Sequence, residues 1–585
     1  MAAPQELKEA FNPNNGQGGR FIDYAVRFEV VNNEAQEEAT ASASAEDTQI
    51  SRLPQVTNKN LDAMNFASFE PGGWPLDGSV VIPPKPDEMP EAEIGLVMQE
   101  LSDEDGYYSE PQVITLTTQN KYNLLALTIG FGNSPSADFA IDLYDGDDLL
   151  YHHEVTGNTG KRYIMRQAVE QVNKVVITIT RSAIPRRKVR LVECLLGVSL
   201  EYNKETGYGL SITEAIDPLN ERVSASDMKL TVENFAQEFN LFDPTSLYLF
   251  FQDRQELIAR IGAKMANGLM GYVQMGKFYL RRPELKGNLT MLELQAVNLL
   301  GVLAETTYSK GTYKTASLAE FAEDVAADAG VSVRYPDSWT NVSMTAYIPT
   351  VTHAEAFRLL AQATGTLLRV NRDNEVEFME ISEEIIDKLT PYDYYSGNGF
   401  SPSDDDIINT VQVEVTSLSV ADEAEELAKA EGAGTHNIKY DPSTQHTASI
   451  SGGTITSAQY YVDNAVITIT GGTVTVSGKK IVSSKSIVTE TIAQGNDRQY
   501  VYEVKGQPFI QPANAQAVAE HYLGLKARHR KLVKMQYRGY PYLETGQTVS
   551  FETKTFETGG FIIARNDLKI SGGGMTGTLE AREKP

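Results

Sequence analysis

The residue types that could carry out chemistry are scattered through this sequence and form no recognisable catalytic or metal-binding motif. The chain has seven histidines, and none belongs to an HExxH pair. His152 and His153 are adjacent positions of one predicted strand, so their side chains point to opposite faces. No GxSxG, no P-loop and no GxGxxG after a strand occurs. We therefore predict that the protein is not an enzyme, with no catalytic, metal-binding or cofactor-binding residue and no cofactor.

Acidic turns and a few aromatic residues are the remaining candidates for ligand binding. The turn Asp145-Gly146-Asp147-Asp148 is a fragment of a calcium loop, which needs alternating oxygen ligands and a bidentate Glu, so a solvated turn is the favoured interpretation. Trp74, Tyr107 and Tyr108 are the candidates for stacking on a sugar. The alternative for Trp74 is an anchor that fixes its loop in a core.

The most basic stretch, 184–197, reads IPRRKVRLVECLLG and holds four basic residues within five positions. Strand alternation places Lys188, Arg190 and Val192 on one face. We predict that the basic residues lie on a solvated face or at a strand end, and the alternative is contact with carbohydrate or an anion. The stretch lacks the interleaved aromatic residues that bind single-stranded nucleic acid. The formal net charge of -27 also repels nucleic acid and anionic lipid. We expect no sequence-specific nucleic-acid binding.

Length and composition indicate several packed hydrophobic cores. A chain of 585 residues predicts about three to five domains. Cys194 is the single cysteine, so an intrachain disulfide framework is excluded, and we predict that it is a buried small hydrophobe. No apolar run reaches the roughly 18 residues of a membrane helix, and the first 20 residues lack a secretory signal. We expect no membrane span.

The elements that must position these residues are mostly strands. Short alternating segments over 40–199 without long helices predict a β-sandwich. Farther along, Ser317 and Glu320 form a capping-box pattern for a helix that ends at Gly330. A second helix is predicted after Thr352. Two strands joined by a short polar turn complete a compact α/β module.

The last third of the chain returns to β structure. Residues 421–434 predict a short charged helix or linker. The segments 466–470 and 473–477 predict a hairpin around a Gly-Gly pair. An amphipathic helix is predicted over 513–527, followed by strands to the end of the sequence.

Four stretches of the chain occur in the order MGKFYLRRPELKGNLTMLELQAVNLLGVL (275–303), TAYIPTVTHAEAFRLLAQATGTLLRVNRDNEVEF (345–378), PANAQAVAEHYLGLKARHRKLVKMQYRGYPYLETGQTVSF (512–551) and GGGMTGTLEAR (572–582). In this order they resemble the baseplate or tail-tip hub proteins of tailed phages and prophage-derived particles of Gram-positive bacteria, related to the late control protein family. The departures are Asn298 and Gln547, at positions where the family often has Asp. Residues 40–199 resemble an inserted galactose-binding-like or discoidin-like sandwich, through VVITITRSAIPRRKVRLVECLLG.

The resemblance implies a mainly β, multidomain fold with two tube-like β-barrel domains, a small α/β module and the galactose-binding-like β-sandwich. The expected boundaries are 1–39 for an N-terminal arm and the first strand of barrel 1, 40–199 for the sandwich insertion, 200–312 for the first hub barrel, 313–400 for the α/β module, 401–420 for the start of the second barrel, 421–499 for a β-rich insertion and 500–585 for the second hub barrel.

The same resemblance implies a structural role in the distal tail or baseplate of a virion assembled in the host cytoplasm. A homotrimer would join a sixfold tail tube to a threefold tip and line a channel that DNA passes without adhering. The implied partners are the tail tube or distal tail protein, the tape measure protein and central spike or tail fibre proteins. The alternative is a carbohydrate-binding tail adhesin, or a tail-associated cell-wall hydrolase, that recognises host cell-wall glycan.

Overall fold

The chain forms a mainly β, multidomain fold, as the sequence predicts. A computed structural model describes residues 4–13, 19–58, 70–71, 94–235, 237, 239–242, 246, 248, 251, 254–395, 400–404, 408–492, 499–526, 530–553, 557–572 and 574–585. Two compact units are present: Met1–Ala25 with Asn203–Ser246 and Glu256–Pro585, and Val26–Tyr202 with Leu247–Gln255. Among the described residues, no helix combines the length and the apolar character needed to cross a membrane.

The unit that contains Val26–Tyr202 is rich in short strands, as the sequence predicts for 40–199. A five-stranded sheet (β2-β4-β9-β6-β7), a three-stranded sheet (β11-β5-β8) and the pair β3–β10 share one apolar core. α1 Gln5–Phe11 and the first residues of β1 belong to the other unit. The elements from β1 to Asn203 are β1 Ile22–Val31, α2 Asn33–Glu38, β2 Thr40–Ala43, β3 Leu96–Leu101, β4 Tyr107–Leu124, β5 Leu127–Gly130, β6 Ser136–Asp145, β7 Asp148–Val155, β8 Arg162–Met165, β9 Val169–Ser182, β10 Lys188–Leu191, β11 Glu193–Leu195 and β12 Gly197–Asn203.

The basic stretch of this unit is held by internal ion pairs, and its predicted solvated face is wrong for Arg190. That side chain is buried, and its guanidinium lies 2.6 Å from the Glu70 carboxylate. Lys188 is half-buried and pairs with Asp47 at 2.6 Å. Strand alternation assigns a residue to a face, but acids from distant parts of the sequence cover this face.

The other unit contains the remaining strands and a central α/β module. Their bounds are β13 Gly207–Ala215, β14 Asp227–Glu233, β15 Glu256–Lys264, β16 Met270–Lys286, β17 Met291–Val297, α3 Leu299–Leu303, β18 Thr307–Tyr308, β19 Lys314–Ser317, α4 Leu318–Ala329, β20 Val333–Arg334, β21 Ser343–Ala346, β22 Val351–Thr352, α5 His353–Thr364, β23 Leu367–Val370, β24 Val376–Met379, β25 Ile385–Leu389, β26 Phe400–Asp404, β27 Thr410–Val420, β28 Glu425–Glu431, β29 Gly434–Lys439, β30 Ser443–Ser451, β31 Ile455–Tyr460, β32 Asn464–Ile469, β33 Thr473–Thr491, β34 Val501–Val504, α6 Ala515–Lys526, β35 Lys531–Tyr537, β36 Thr548–Phe551, β37 Phe561–Ser571 and β38 Gly574–Glu583.

The α/β module confirms the predicted helix limits. Ser317 and Glu320 form both hydrogen bonds of the capping box, and α4 ends at Gly330 with a left-handed φ of 67°. Thr352 caps α5, which ends at Gly365 with φ 69°. The module core also includes apolar residues of β27 and α6. Strand β27 pairs antiparallel with β33 and parallel with β34.

The predicted helix or linker at 421–434 and the predicted hairpin around the Gly-Gly pair are both wrong. Residues Glu425–Glu431 form a strand that pairs with β33. The strands on either side of Gly471-Gly472 join different sheets: β32 pairs with β29 and β31, whereas β33 pairs with β28 and β30. Their alternating apolar side chains pack in one core, which strands of two facing sheets satisfy as well as a hairpin does.

Candidate functional site

A single, mostly antiparallel sheet of this unit contains a five-stranded repeat twice. In the first copy the strands β13 to β17 have the sheet order β15-β16-β17-β14-β13. In the second copy the strands β26, β35, β36, β37 and β38 have the order β36-β37-β38-β35-β26. The two orders are identical when the strands of each copy are numbered along the chain. The segment from β27 to α6 lies between the first and second strands of the second copy.

The two copies also share register, a bulge and sequence. Strand β16 shifts register between Leu280 and Arg282 against β17, and β37 shifts between Ile563 and Arg565 against β38. Aligning these bulges matches LRRPELK (280–286) with IARNDLK (563–569), which share Arg, an acid, Leu and Lys in sequence. A β-bulge is a specific feature of a strand pair and not a random defect. Bulges at equivalent positions therefore indicate duplication of the whole strand unit.

The same alignment extends to the other strands of the repeat. Ser211 lies opposite Lys229 in the first copy, and Ser401 lies opposite Lys534 in the second. The segments 211–214 and 401–404 read SITE and SPSD, so hydroxyl and acidic residues occupy equivalent positions. The sequence contained this signal, but the long insertion after β26 and the low identity of the copies concealed it.

The copies are joined by strand pairing between β13 and β37. Residues Gly209–Ala215 pair antiparallel with Arg565–Ser571 without a register shift. One face of this joint is apolar, with Leu210, Ile212, Leu568 and Ile570 buried. Both copies therefore belong to one sheet, and the first strand of one copy pairs with the fourth strand of the next.

The face opposite the apolar core is polar and carries both charge signs. Two neighbouring rows cross β14, β13 and β37 in register, one with a hydroxyl between two lysines and one with a hydroxyl between two aspartates. These rows are Lys229, Ser211 and Lys569, and Asp227, Thr213 and Asp567. Lysines and acids therefore alternate along this face.

Ion pairs balance the charges on this polar face. The Glu293 carboxylate accepts from Lys229 at 2.7 Å and from Lys286 at 2.9 Å. Burial alone would raise the pKa of Glu293, but these lysines lower the pKa to about 2. Arg565 pairs with Asp567 at 2.9 Å. Lys229, Lys286 and Arg565 are therefore already paired with carboxylates.

The turn of the β23–β24 hairpin locks the two copies together. Arg372 donates from Nε and Nη2 to the two carboxylate oxygens of Glu214, at 2.9 and 2.8 Å. Burial lowers the pKa of Arg372, but the Glu214 carboxylate outweighs this and raises it. Because Glu214 lies on β13 at the joint, this pair fastens the α/β module to the strand that links the copies.

Neighbouring contacts strengthen this lock. Arg369 pairs with Glu377 at 2.7 Å and with Glu544 at 3.1 Å, just before β36. On the other side, Asn374 donates to the Tyr279 hydroxyl on β16 at 2.9 Å. The hairpin thus contacts both copies, and we infer that it fixes their relative position.

Arg20 fastens the N-terminal arm to the same unit. Its guanidinium donates to four backbone carbonyls, namely those of Phe11, Arg538, Gly539 and Met575. Beside it, Phe11 is fully buried against Tyr542. A helix of seven residues is too short to be stable by itself in water, so these contacts stabilise α1.

Replacing Arg20 by alanine is expected to release the arm and to lower the free energy of unfolding by about 2–3 kcal/mol, because buried carbonyls lose a charged donor. Limited proteolysis near residues 5–11, together with urea unfolding, measures both effects. The control is Arg334→Ala, since this arginine is 68% exposed. Equal protease resistance of Arg20→Ala and the natural chain would contradict the role of Arg20.

The three aromatic candidates for glycan contact have different environments. Trp74 lies outside the described residues. Tyr108 is buried and its hydroxyl donates to the Arg187 carbonyl at 3.2 Å, so its ring is closed to a ligand. The Tyr107 ring is 49% exposed, and the Arg181 guanidinium lies 5.0 Å from its centroid. Glycan contact through Tyr107 stays a prediction, and Tyr108 is corrected to a core residue.

The histidines have structural partners in the described part of the chain. His353 is buried at the first turn of α5, with Nδ1 2.8 Å from the Thr306 hydroxyl and Nε2 3.1 Å from Asp328. His153 contacts the Tyr163 hydroxyl at 2.6 Å. Across the described ranges, no three His, Cys, Asp or Glu side chains are grouped to hold a metal ion.

The acidic turn at 145–148 is engaged by lysines. Asp145 pairs with Lys121 at 2.7 Å, and Asp147 pairs with Lys174 at 3.2 Å. These carboxylates therefore have protein cations as partners. The single cysteine, Cys194, is buried as predicted, and burial raises the pKa of its thiol.

Comparisons with known proteins gave structural matches and no sequence-based match. No family model matches the chain, and no curated protein matches it. A tail protein from Neisseria meningitidis is similar at 10% identity and a TM-score of 0.39, over 66% of this chain and 94% of that chain. A tail protein of prophage MuSo2 from Shewanella oneidensis is similar at 10% identity and a TM-score of 0.37, over 66% and 95%. A prophage tail protein, gp18, from Listeria monocytogenes is similar at 10% identity and a TM-score of 0.35, over 65% and 91%.

Proposed function

We propose that this chain is a structural hub protein of a phage-like tail, which forms a homotrimeric ring at the distal end of the tail or baseplate. The observation that carries the proposal is the five-stranded repeat. Two copies per chain give six equivalent strand units in a trimer. A threefold assembly can therefore present a nearly sixfold surface to a sixfold tail tube.

The orientation of the copies fits rotation about a ring axis. Strands β16 and β37 are equivalent and lie four antiparallel steps apart, through β17, β14 and β13. An even number of antiparallel steps makes equivalent strands run in the same direction. Their polar side chains also emerge on the same face. Rotation about an axis preserves both properties, so further copies can continue the sheet around a channel.

The polar face is the proposed channel lining. Lys229 and Lys286 share the Glu293 carboxylate on this face, so a passing DNA meets a surface of mixed charge. Free cations would bind phosphates strongly, because each neutralised phosphate releases counterions. A charge-balanced face therefore suits passage better than a basic one. The protein itself needs no catalytic group for this role.

The proposed partners follow from the position of such a ring. The sixfold side would meet the tail tube or distal tail protein, the threefold side would meet a spike or fibre protein, and the channel would admit the tape measure protein. The proposed location is the distal tail of a virion or tail-like particle. These partners rest on the sequence resemblance together with the repeat.

The first test is the mass of the purified full-length protein in solution. We expect light scattering over a range of concentrations to give three times the 64.4 kDa chain mass. Electron microscopy of the same sample should show a ring whose inner wall has six similar lobes. A mass of one chain at every concentration, with no ring in the images, would contradict the proposal.

A further inference from the structure

The five-stranded repeat leaves two strand edges that are complementary to each other. The first edge belongs to β26, which ends the sheet and has β35 as its strand neighbour in the described part of the chain. The second edge belongs to the end of β16, where Arg282–Lys286 pair with β17. Strand β15 pairs with β16 only over Met270–Tyr279, so its ladder stops before this segment.

These edges are the equivalents of two strands that already pair within the chain. Strand β26 corresponds to β13, and the end of β16 corresponds to the segment of β37 that pairs with β13. We propose that β26 of one chain pairs antiparallel with the end of β16 of a second chain, and that three such pairings close the ring. The inference rests on the proposed function and specifies its interface.

The intrachain pairing fixes the register of the proposed interface. Ser211 lies opposite Lys569 within one chain. The equivalent pair between chains is Ser401 of one chain opposite Lys286 of the next chain. In the same way, Thr213 opposite Asp567 becomes Ser403 opposite Glu284. The chemistry is therefore repeated at both positions: a hydroxyl meets a lysine, and a hydroxyl meets an acid.

The side-chain exposure of the segments is compatible with docking. Ser401, Pro402 and Ser403 are exposed, and Glu284 to Lys286 are half-exposed. A single edge that is complementary to a different edge makes a head-to-tail contact, which gives a closed ring when the rotation closes. The shared sheet then continues from the second repeat of one chain into the first repeat of the next chain.

Two prolines set the strength of this interface. Pro402 in β26 and Pro283 in β16 each lack a backbone N–H. The interchain ladder therefore has fewer donors than the ladder between β13 and β37, and prolines at strand edges also limit uncontrolled pairing. We expect a ring whose formation depends on protein concentration.

Engineered cysteines test the register directly. Residues directly opposite in an antiparallel pair have Cα atoms about 4.5–5.5 Å apart, which a disulfide spans. The full-length Ser401→Cys/Lys286→Cys variant, oxidised and run on a non-reducing denaturing gel, is expected to give covalent species of two and three chains. Cys194 does not interfere, because it is fully buried.

Matched variants control for folding and for register. Ser211→Cys/Lys569→Cys places a disulfide at the equivalent pair within one chain, so it should run as a single chain with a cross-link. Ser401→Cys/Leu285→Cys shifts the register by one residue to the opposite face, and we expect at least ten-fold less cross-linked product. Each single-cysteine variant should give none of the three-chain species.

Light scattering on the same samples separates failure of the interface from failure of the ring. A mass of three chains without cross-links in Ser401→Cys/Lys286→Cys overturns the strand pairing and leaves the trimer intact. Equal cross-linking in the shifted variant overturns the register. A mass of one chain at every concentration, again without cross-links, overturns both the pairing and the proposed ring.

Discussion

Replacing Arg372 by methionine is expected to lower the free energy of unfolding by about 3–5 kcal/mol, because the buried Glu214 carboxylate loses its bidentate partner. The pair lies at the joint between the two copies of the repeat, so the loss acts on the hairpin that locks them. We expect hydrogen exchange to accelerate first in the turn between β23 and β24 and in β13.

Chemical unfolding and peptide-resolved hydrogen exchange measure this effect together. The second method is needed because a chain of two units need not unfold in one step. The matched control is Arg281→Met, whose arginine is 47% exposed and pairs with Glu305, so we expect a loss of at most about 1 kcal/mol. The double variant Arg372→Met/Glu214→Leu should regain much of the lost stability, since no charge is left buried.

A small effect of Arg372→Met would contradict this expectation. If Arg372→Met destabilises the protein no more than Arg281→Met does, the hairpin is not a lock between the copies. The trimer provides a second readout. A loosened joint should misplace the edge strands, so Arg372→Met should also lower the fraction of three-chain species at a given concentration, whereas Arg281→Met should not.

Replacing Glu193 by alanine is expected to destabilise the unit that contains Val26–Tyr202 by about 3–5 kcal/mol. The Glu193 carboxylate pairs with Arg27 and, at 2.8 Å, with Arg162. Arg27 is fully buried and also donates to the Ser199 hydroxyl at 2.9 Å. Without the carboxylate, a buried guanidinium loses its countercharge.

Thermal unfolding followed by circular dichroism, with hydrogen exchange of peptides from 94–202, measures the loss. The control variant is Arg186→Ala, because Arg186 is 53% exposed at its surface pair with Glu104. The double variant Arg27→Met/Glu193→Met keeps the volume but removes the buried pair, so we expect it to be more stable than Glu193→Ala alone. A double variant as unstable as the single one would show that packing, and not the lost countercharge, dominates.

Local signals in the sequence predicted much of the α/β module. The capping box at Ser317 and the glycines that end α4 and α5 act within one turn of the chain, so neighbouring residues suffice to specify them. The turn between β23 and β24 was predicted for the same reason. Its role as a lock was not, because Arg372 and Glu214 are far apart in sequence.

Alternation predicted strands but not their partners. The segments beside Gly471-Gly472 have the same alternating pattern whether they pair with each other or face each other in two sheets. Likewise, the alternating pattern around Arg190 predicted on which face of the strand its side chain lies. It did not predict that Glu70, from a distant segment, would cover that face. Tyr107 and Tyr108 were grouped as sugar contacts, although adjacent strand residues point to opposite sides.

The sequence by itself determined a mainly β, multidomain chain, the helices of its module and the absence of a recognisable catalytic motif. Only the tertiary structure decided that two distant strand sets are copies of one unit and that they join through β13 and β37. The physical reason is that helix ends are specified by hydrogen bonds between near neighbours. Strand partners are chosen among all available edges, and a long insertion hides equivalent edges from any local pattern.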